Sequence, residues 1–230
     1  MNIFFIDSHP DQAAIYMMDK HIVKMPLESA QMLSTAHRLL DGKLTQSDSK
    51  QVYLLEGESL LNSEIQNQKC YKVAHKAHPC TIWTIKTAGN YLYHLNFLVA
   101  MLKEYKRRYG RTHSVEKLLP FLKNIPKNIS EPSVLHKITP PPQCMPDKYK
   151  HEDLATAYRN FYAGEKFHFA KWKENDMPDW FLSHMAKVWD KDEEKLLKLN
   201  KCLSKKTLPA DSRVILMAQE LTYETFKDAF

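Results

Sequence analysis

Glycine is scarce in this chain, with five residues in 230. So few leave no basis for a Gly-rich phosphate loop, a Rossmann fingerprint or a turn-dense all-β fold. No apolar run approaches the roughly 20 residues that a membrane-spanning helix needs, so no membrane partner is expected. The opening MNIFFID lacks a basic segment and a long apolar core, and Asp7 follows at once, so it does not read as a secretory signal. No CxxC pair is present. The four cysteines at 70, 80, 144 and 202 suit free thiols in a reducing cytoplasm. Cys70, His75, His78 and Cys80 lie close in sequence, but their C-x4-H-x2-H-x-C order matches no familiar zinc spacing. No metal and no cofactor is therefore expected.

What the chain does have is apolar residues at 43% and charged residues at 26%, enough to bury a core and too apolar for a disordered segment. Helical periodicity dominates and strand signals are nearly absent, so the class is all-α, with about six to eight helices. Ile3–Ile6 reads as one short strand or a buried extended arm. A helical pattern runs from Asp11 to Leu40, with Pro26 calling for a kink or two consecutive helices, and Asp41-Gly42 stops it. Residues 43–52 read as a polar loop and 53–68 as a shorter helix. Pro79 is suited to a first helical position, and a long helix from there would stop at Gly110. Ser114 can cap a short helix, and six prolines between 126 and 146 mark an irregular connection. Further helices are expected at about 152–172, from Pro178 to about Leu203, and from Asp211 to about Lys227. Residues 1–181 read as one helical domain and 182–230 as a helical extension.

The net charge is +6. Between Lys103 and Lys127 stand Lys103, Lys106, Arg107, Arg108, Arg111, Lys117, Lys123 and Lys127 against Glu104 and Glu116, an excess equal to that of the whole chain. A polyanion partner is one reading. A solvated helix end, with cations offsetting the helix dipole, is the other.

Two helices carry candidate chemistry. On the first, His21, Lys24, Glu28, Gln31, Thr35 and Arg38 are spaced 3, 4, 3, 4, 3 and share one face of an otherwise apolar helix. That stripe faces solvent or lines a cleft. In a cleft, His21, Lys24 and Glu28 would combine a proton carrier, an amine and a carboxylate, while on a surface Lys24 and Glu28 are an ordinary i, i+4 ion pair. On the second, Tyr158, Tyr162, Glu165 and Phe169 share a face, with Arg159 and Lys166 beside it. These are core aromatics with a charged flank, or an Arg/Lys edge beside rings that stack on an unstacked base. Asn90, Tyr91, His94 and Phe97 share a side of the long helix, where His94 reads as a half-buried histidine with a partner.

Three blocks resemble the small all-α pyrimidine-dimer DNA glycosylase/AP-lyase family of phages, the endonuclease V type. They are Asp19-Lys20-His21 with Glu28 seven residues on, the Tyr91–Gly110 segment with Leu95, Phe97, Leu98, Glu104 and Arg108, and Arg159 with Glu165-Lys166 and Pro178-x-Trp180. The blocks DKHIVKM-x-LE, HPC-x-x-W, CMPDKYK and AYRNFY are also similar to a set of phage-encoded proteins of this length. The resemblance implies an all-α fold, duplex DNA as partner and a cytoplasmic location. It implies Glu28 as the catalytic carboxylate, His21 as a structural or orienting residue and Arg159 as a phosphate contact. The family attacks the sugar with a free N-terminal threonine amine, whereas this sequence begins Met1-Asn2, and Leu27 and Gln31 stand where the family has arginines. If an amine still attacks, Lys24, one turn from Glu28, is the best-placed substitute; the other candidate nucleophile is water.

The expected function is thus base excision or base modification on an extruded base. Glu28, Lys24 and His21 would be catalytic, and Arg107, Arg108, Arg111, Arg159, Lys166, Tyr158 and Tyr162 would bind nucleic acid. The alternatives are a non-catalytic nucleotide- or nucleic-acid-binding protein with a sequestering or anti-defence role, and a structural protein without chemistry.

Overall fold

The computed structural model describes residues 2–47, 50–130, 138–174 and 177–189, together with 197, 216–217 and 219–221. The fold is mostly helical, in two compact units: Met1–Ile3 with Ile22–Cys144, and Phe4–His21 with Met145–Phe230. No helix among the described residues is long and apolar enough to cross a membrane.

The expected helix over 11–40 is two. α1 spans Pro10–Tyr16, with proline at its start, and α2 spans Asp19–Asp41. The break falls at Met17–Met18, and Pro26 is carried inside α2 without ending it.

In the first unit, α2 turns Ile22, Met25, Ala30, Met32, Leu33 and Ala36 into the core. Two hairpins follow where a loop and a helix were expected. β1 (Lys43–Ser47) pairs antiparallel with β2 (Lys50–Leu54), and β3 (Ser59–Leu61) pairs with β4 (Glu64–Gln66). Asn62 and Ser63 both take positive φ, 49° and 62°, between β3 and β4. That left-handed pair is the two-residue connection whose twist matches the flanking strands.

α3 (Pro79–Lys86) begins at proline as expected, but Thr87 adopts an extended conformation and ends it. Thr87 then caps α4 (Ala88–Tyr109), its side chain accepting from Asn90 N. Gly110 closes α4 in the left-handed conformation at φ 63°, where glycine has no Cβ penalty. Ser114 opens a 3-10 turn (Ser114–Leu118), but the capping side chain is that of His113, and α5 (Leu119–Leu122) follows directly. The helices are tied by buried polar links. His37 Nε2 lies 2.9 Å from Tyr91 OH, and Tyr91 OH donates to Leu122 O at 2.7 Å. His94 is fully buried rather than half-buried, with Nδ1 2.8 Å from Thr84 Oγ1.

In the second unit, the residues from Phe4 form no strand; Phe4 and Ile6 are buried, and the chain turns there, Ile6 N donating to Phe4 O at 2.8 Å. The expected helix at 152–172 is α6 (Leu154–Glu165), capped by Asp153, followed by a 3-10 turn at Phe167–Phe169. α7 spans Trp180–Trp189. Trp172 Nε1 donates to Tyr16 O at 2.9 Å, and Phe181, Met185 and Trp189 are buried. The expected continuation of α7 to Leu203 and the helix from Asp211 fall almost wholly outside the described residues.

Candidate functional site

Along α2 within the first unit, the polar stripe passes from solvent into the interior. Lys24 Nζ meets Glu28 Oε1 at 2.9 Å, with the Lys24 side chain 69% exposed and that of Glu28 14%. The i, i+4 spacing puts the two on one face, and Glu28 is the end drawn inward. Deeper along the stripe, Thr35 Oγ1 lies 2.8 Å from Gln31 O and 3.0 Å from Ala74 O, its one proton going to either, and accepts from Ala74 N at 3.0 Å. Arg38 is fully enclosed. It donates to the carbonyls of Tyr53, Cys70 and Tyr71 at 2.6, 2.8 and 2.5 Å, and its guanidinium forks onto Glu58 at 2.9 and 3.2 Å. Thr35 and Arg38 therefore hold the segment 53–74 against α2 and are unavailable to a ligand.

The third member of the expected catalytic set belongs to the second unit. His21 is buried, its Nδ1 2.5 Å from Tyr162 OH and its ring stacked on Phe4 at 4.5 Å. Tyr158 and Tyr162 are fully buried beside Phe4. This corrects the expectation that they form a stacking platform, because an enclosed ring offers no face to a base. Arg159 donates from Nε to Ile6 O at 2.9 Å, approaches Asp7 at 3.4 Å and lies over the Trp180 ring at 5.4 Å. Its fork ties the N-terminal segment to α6, and its side chain remains 24% exposed. Lys166 is half-buried over the Phe161 ring at 4.9 Å.

The basic run in the first unit behaves differently. Lys103, Lys106, Arg107, Arg111, Lys117, Lys123 and Lys127 are all exposed. Lys103, Lys106 and Arg107 stand at i, i+3 and i+4 on one face of α4. Arg108 is the exception, and a second correction. It is 2% exposed, with Nε donating to the buried Glu104 carboxylate at 2.6 Å. Glu104 also takes two bonds of 2.8 Å from Arg107. One of the two acidic residues in the run is thus buried and neutralised, and the exposed excess is strongly positive.

A cluster that the sequence indicated only in part, through His78 and Cys80, also lies in this unit. His78, Cys80 and Cys144 bring one donor atom each to within 4.8 Å of one another. His78 is the N-cap of α3, its Nδ1 accepting from Cys80 N at 3.2 Å. Cys80 is buried at the start of that helix, and its Sγ is 3.7 Å from Cys144 Sγ and 4.0 Å from Asn2 Oδ1. Asn2 Nδ2 in turn donates to Cys144 O at 2.9 Å. The contact with Cys144, then burial, push the Cys80 thiol far above the ordinary cysteine range. Burial and neighbouring positive charge, His75 included, hold His78 below the ordinary histidine value, while the Glu28 carboxylate pulls it up. Glu28 is therefore within electrostatic reach of this cluster. Cys70, by contrast, is a thiol raised to about 11 by burial and sits under Arg38.

The chain matches no family model, no curated protein and no solved structure.

Proposed function

We propose that this chain binds duplex DNA through the exposed cations between Lys103 and Lys127 and acts on it with Lys24 and Glu28, as a base-excision glycosylase/lyase or a related base-modifying enzyme. The observation that carries the reading is the exposure of seven of the eight basic residues in that run, while the buried Glu104 is neutralised by Arg108. A surface of this sign is the electrostatic footprint of a phosphate backbone. The Lys24–Glu28 pair adds the chemistry. An exposed amine held 2.9 Å from a largely enclosed carboxylate has a proton acceptor beside it. Glu28 takes a proton from Lys24 Nζ, the amine attacks C1′ of the sugar as the glycosidic bond breaks, the leaving base takes that proton from Glu28, and the carboxylate so regenerated stabilises the cationic sugar.

Two measurements test this. Affinity for a duplex should fall steeply with salt, the slope of log K against log salt being about 0.9 per phosphate contacted. Borohydride should trap a covalent complex on abasic DNA in the native chain and not in Lys24→Ala. A salt-independent affinity removes the DNA reading, and full trapping by Lys24→Ala removes Lys24 from the mechanism.

A second reading, a non-catalytic nucleic-acid binder, is favoured by the same Lys24–Glu28 pair taken as an ordinary helix-surface ion pair. Glu28→Gln separates the two. A catalyst loses turnover and keeps affinity, whereas a binder changes in affinity alone.

A further inference from the structure

His78, Cys80 and Cys144 have the composition and spacing of a transition-metal site. His78 and Cys80 are brought together by the start of α3. His78 caps the helix and Cys80 is the second residue inside it. Cys144 comes from a connection 64 residues further along. That connection is anchored on both sides of the cluster. Trp83 Nε1 donates to Thr139 O at 3.0 Å, Asn90 Oδ1 accepts from Thr139 N at 2.9 Å, and Asn2 Nδ2 holds the Cys144 carbonyl at 2.9 Å. The donors are therefore held by packing, as a ligand shell requires.

The geometry decides which ion. Two zinc–sulfur bonds of about 2.3 Å at the tetrahedral angle separate their sulfurs by about 3.8 Å. The Cys80 and Cys144 sulfurs stand 3.7 Å apart. Two thiols and an imidazole select zinc and the softer divalent ions over magnesium and calcium, which need oxygen donors.

We propose that His78, Cys80 and Cys144 bind one zinc-class divalent ion, supplying three protein ligands and leaving the fourth tetrahedral position to a water molecule or another small oxygen or nitrogen donor. Three protein ligands with an open position is the arrangement of reactive rather than purely structural zinc sites. If Nδ1 is the ligating nitrogen, His78 gives up its 3.2 Å bond from Cys80 N, while its Nε2 carries the proton. The proposal is independent of the DNA reading. The ligands come from the start of α3 and from the 138–144 connection, so the ion would pin two separated stretches of one unit, with Asn2 bonded to the second of them.

The test uses the full chain, reduced and stripped of metal by a chelator, then titrated with Co(II). The expected result is a near-ultraviolet sulfur-to-cobalt charge-transfer band with intense visible absorption of tetrahedral cobalt. Both should saturate at one ion per chain and be abolished by one equivalent of Zn(II). Cys144→Ser, at the half-exposed ligand, should lose the charge-transfer intensity attributable to one thiolate and more than about tenfold in zinc affinity. His78→Gln should bind more weakly with the sulfur bands partly retained. Far-ultraviolet circular dichroism checks that each variant is folded. Should Cys144→Ser fail to fold, a zinc-dependent rise in melting temperature of the native chain, lost in His78→Gln, decides the same question. The proposal is overturned if the reduced native chain gives no cobalt–thiolate band, or if folded Cys144→Ser gives an unchanged spectrum. It is equally overturned if mild oxidation alone joins Cys80 to Cys144 while zinc offers that pair no protection, since the 3.7 Å contact is then a redox pair.

Discussion

Arg38 and Glu58 form a two-pronged ion pair, at 2.9 and 3.2 Å, from which water is excluded. The Glu58 carboxylate also accepts the backbone N–H groups of Leu55 and Lys69, at 3.0 and 2.8 Å. These bonds hold the acid below its ordinary pKa even though burial pushes the other way. Arg38 thereby fastens α2 to the β1–β4 segment, while Glu58 closes the turn between the two hairpins.

Removing one member of such a pair strands a buried charge. Glu58→Ala is expected to destabilise the chain by about 3–5 kcal/mol, read as a fall in the urea midpoint. Arg38→Met with Glu58→Leu should recover only part of that loss, because both charges leave together but the carbonyls of Tyr53, Cys70 and Tyr71 and the N–H groups of Leu55 and Lys69 lose these partners. The acid's depressed pKa gives the sign with pH: its contribution is present above the unfolded carboxylate value and is lost as pH falls through the folded one.

Gly164 on α6 is irreplaceable for steric reasons. A Cβ there would lie 2.5 Å from Tyr149 Cε1 and 2.6 Å from its hydroxyl oxygen. The Tyr149 ring is buried, and its hydroxyl donates to Glu165 at 2.6 Å, so it cannot simply swing away. Gly164→Ala should cost about 1–3 kcal/mol by overpacking, relieved in a Tyr149→Leu background. Gly110→Ala is the contrast. Nothing lies within 4 Å of the added carbon, and the cost of about 1 kcal/mol is that of the left-handed backbone alone. Thermal melts of the variants distinguish these cases.

Two buried histidines set the acid limit of the first unit. Burial lowers His37 to about 4 and His94 to about 3 from an ordinary 6.5. The unfolded chain therefore takes up protons first as pH falls. The stabilisation is complete above about pH 6.5, declines below it, and has gone once pH has passed through the folded values. Urea midpoints should drop over that interval, and the drop should be smaller in His37→Gln than in the native chain.

Arg107 and Arg108 are neighbours with opposite fates, and this separates binding from folding. Arg107→Ala should reduce the salt slope of DNA binding by about one unit, at a smaller stability cost than Arg108→Ala because its side chain is 45% exposed. Arg108→Ala leaves the buried Glu104 with a weaker partner and should lower the melting temperature while the salt slope of the folded protein stays the same. Equal effects of both on the slope would contradict the exposed-face reading.

The helices were legible in the sequence where local chemistry marks an end. Pro79 and Gly110 bound a helical stretch as their backbone preferences require, although Thr87 divides it by turning extended and capping α4. The hairpins at 43–66 were not legible. Their strands are only three to five residues long, and the chain from Tyr53 to Ala74 is held by Arg38 and Thr35, whose burial no local pattern reveals. Helical spacing correctly grouped Lys24, Glu28, Thr35 and Arg38 on one face. It could not tell which end of that face would be covered. For the same reason Arg108, Tyr158 and Tyr162 carried the residue types of a binding surface and turned out to be enclosed. The His78–Cys80–Cys144 cluster was half visible, because two members stand either side of Pro79, and half invisible, because Cys144 arrives from far along the chain.

The second unit is built from the beginning and the later part of the polypeptide, and His21 meets Tyr162 across 141 residues. At bacterial or eukaryotic elongation speeds of about 5–20 residues per second, that interval lasts on the order of ten seconds. Throughout it, Phe4, Ile6, Met17 and Met18 have left the ribosome before their packing partners exist. A nascent chain halted before residue 145 should therefore expose this greasy leader to trigger-factor-type holdases, and lose that affinity once α6 has been translated.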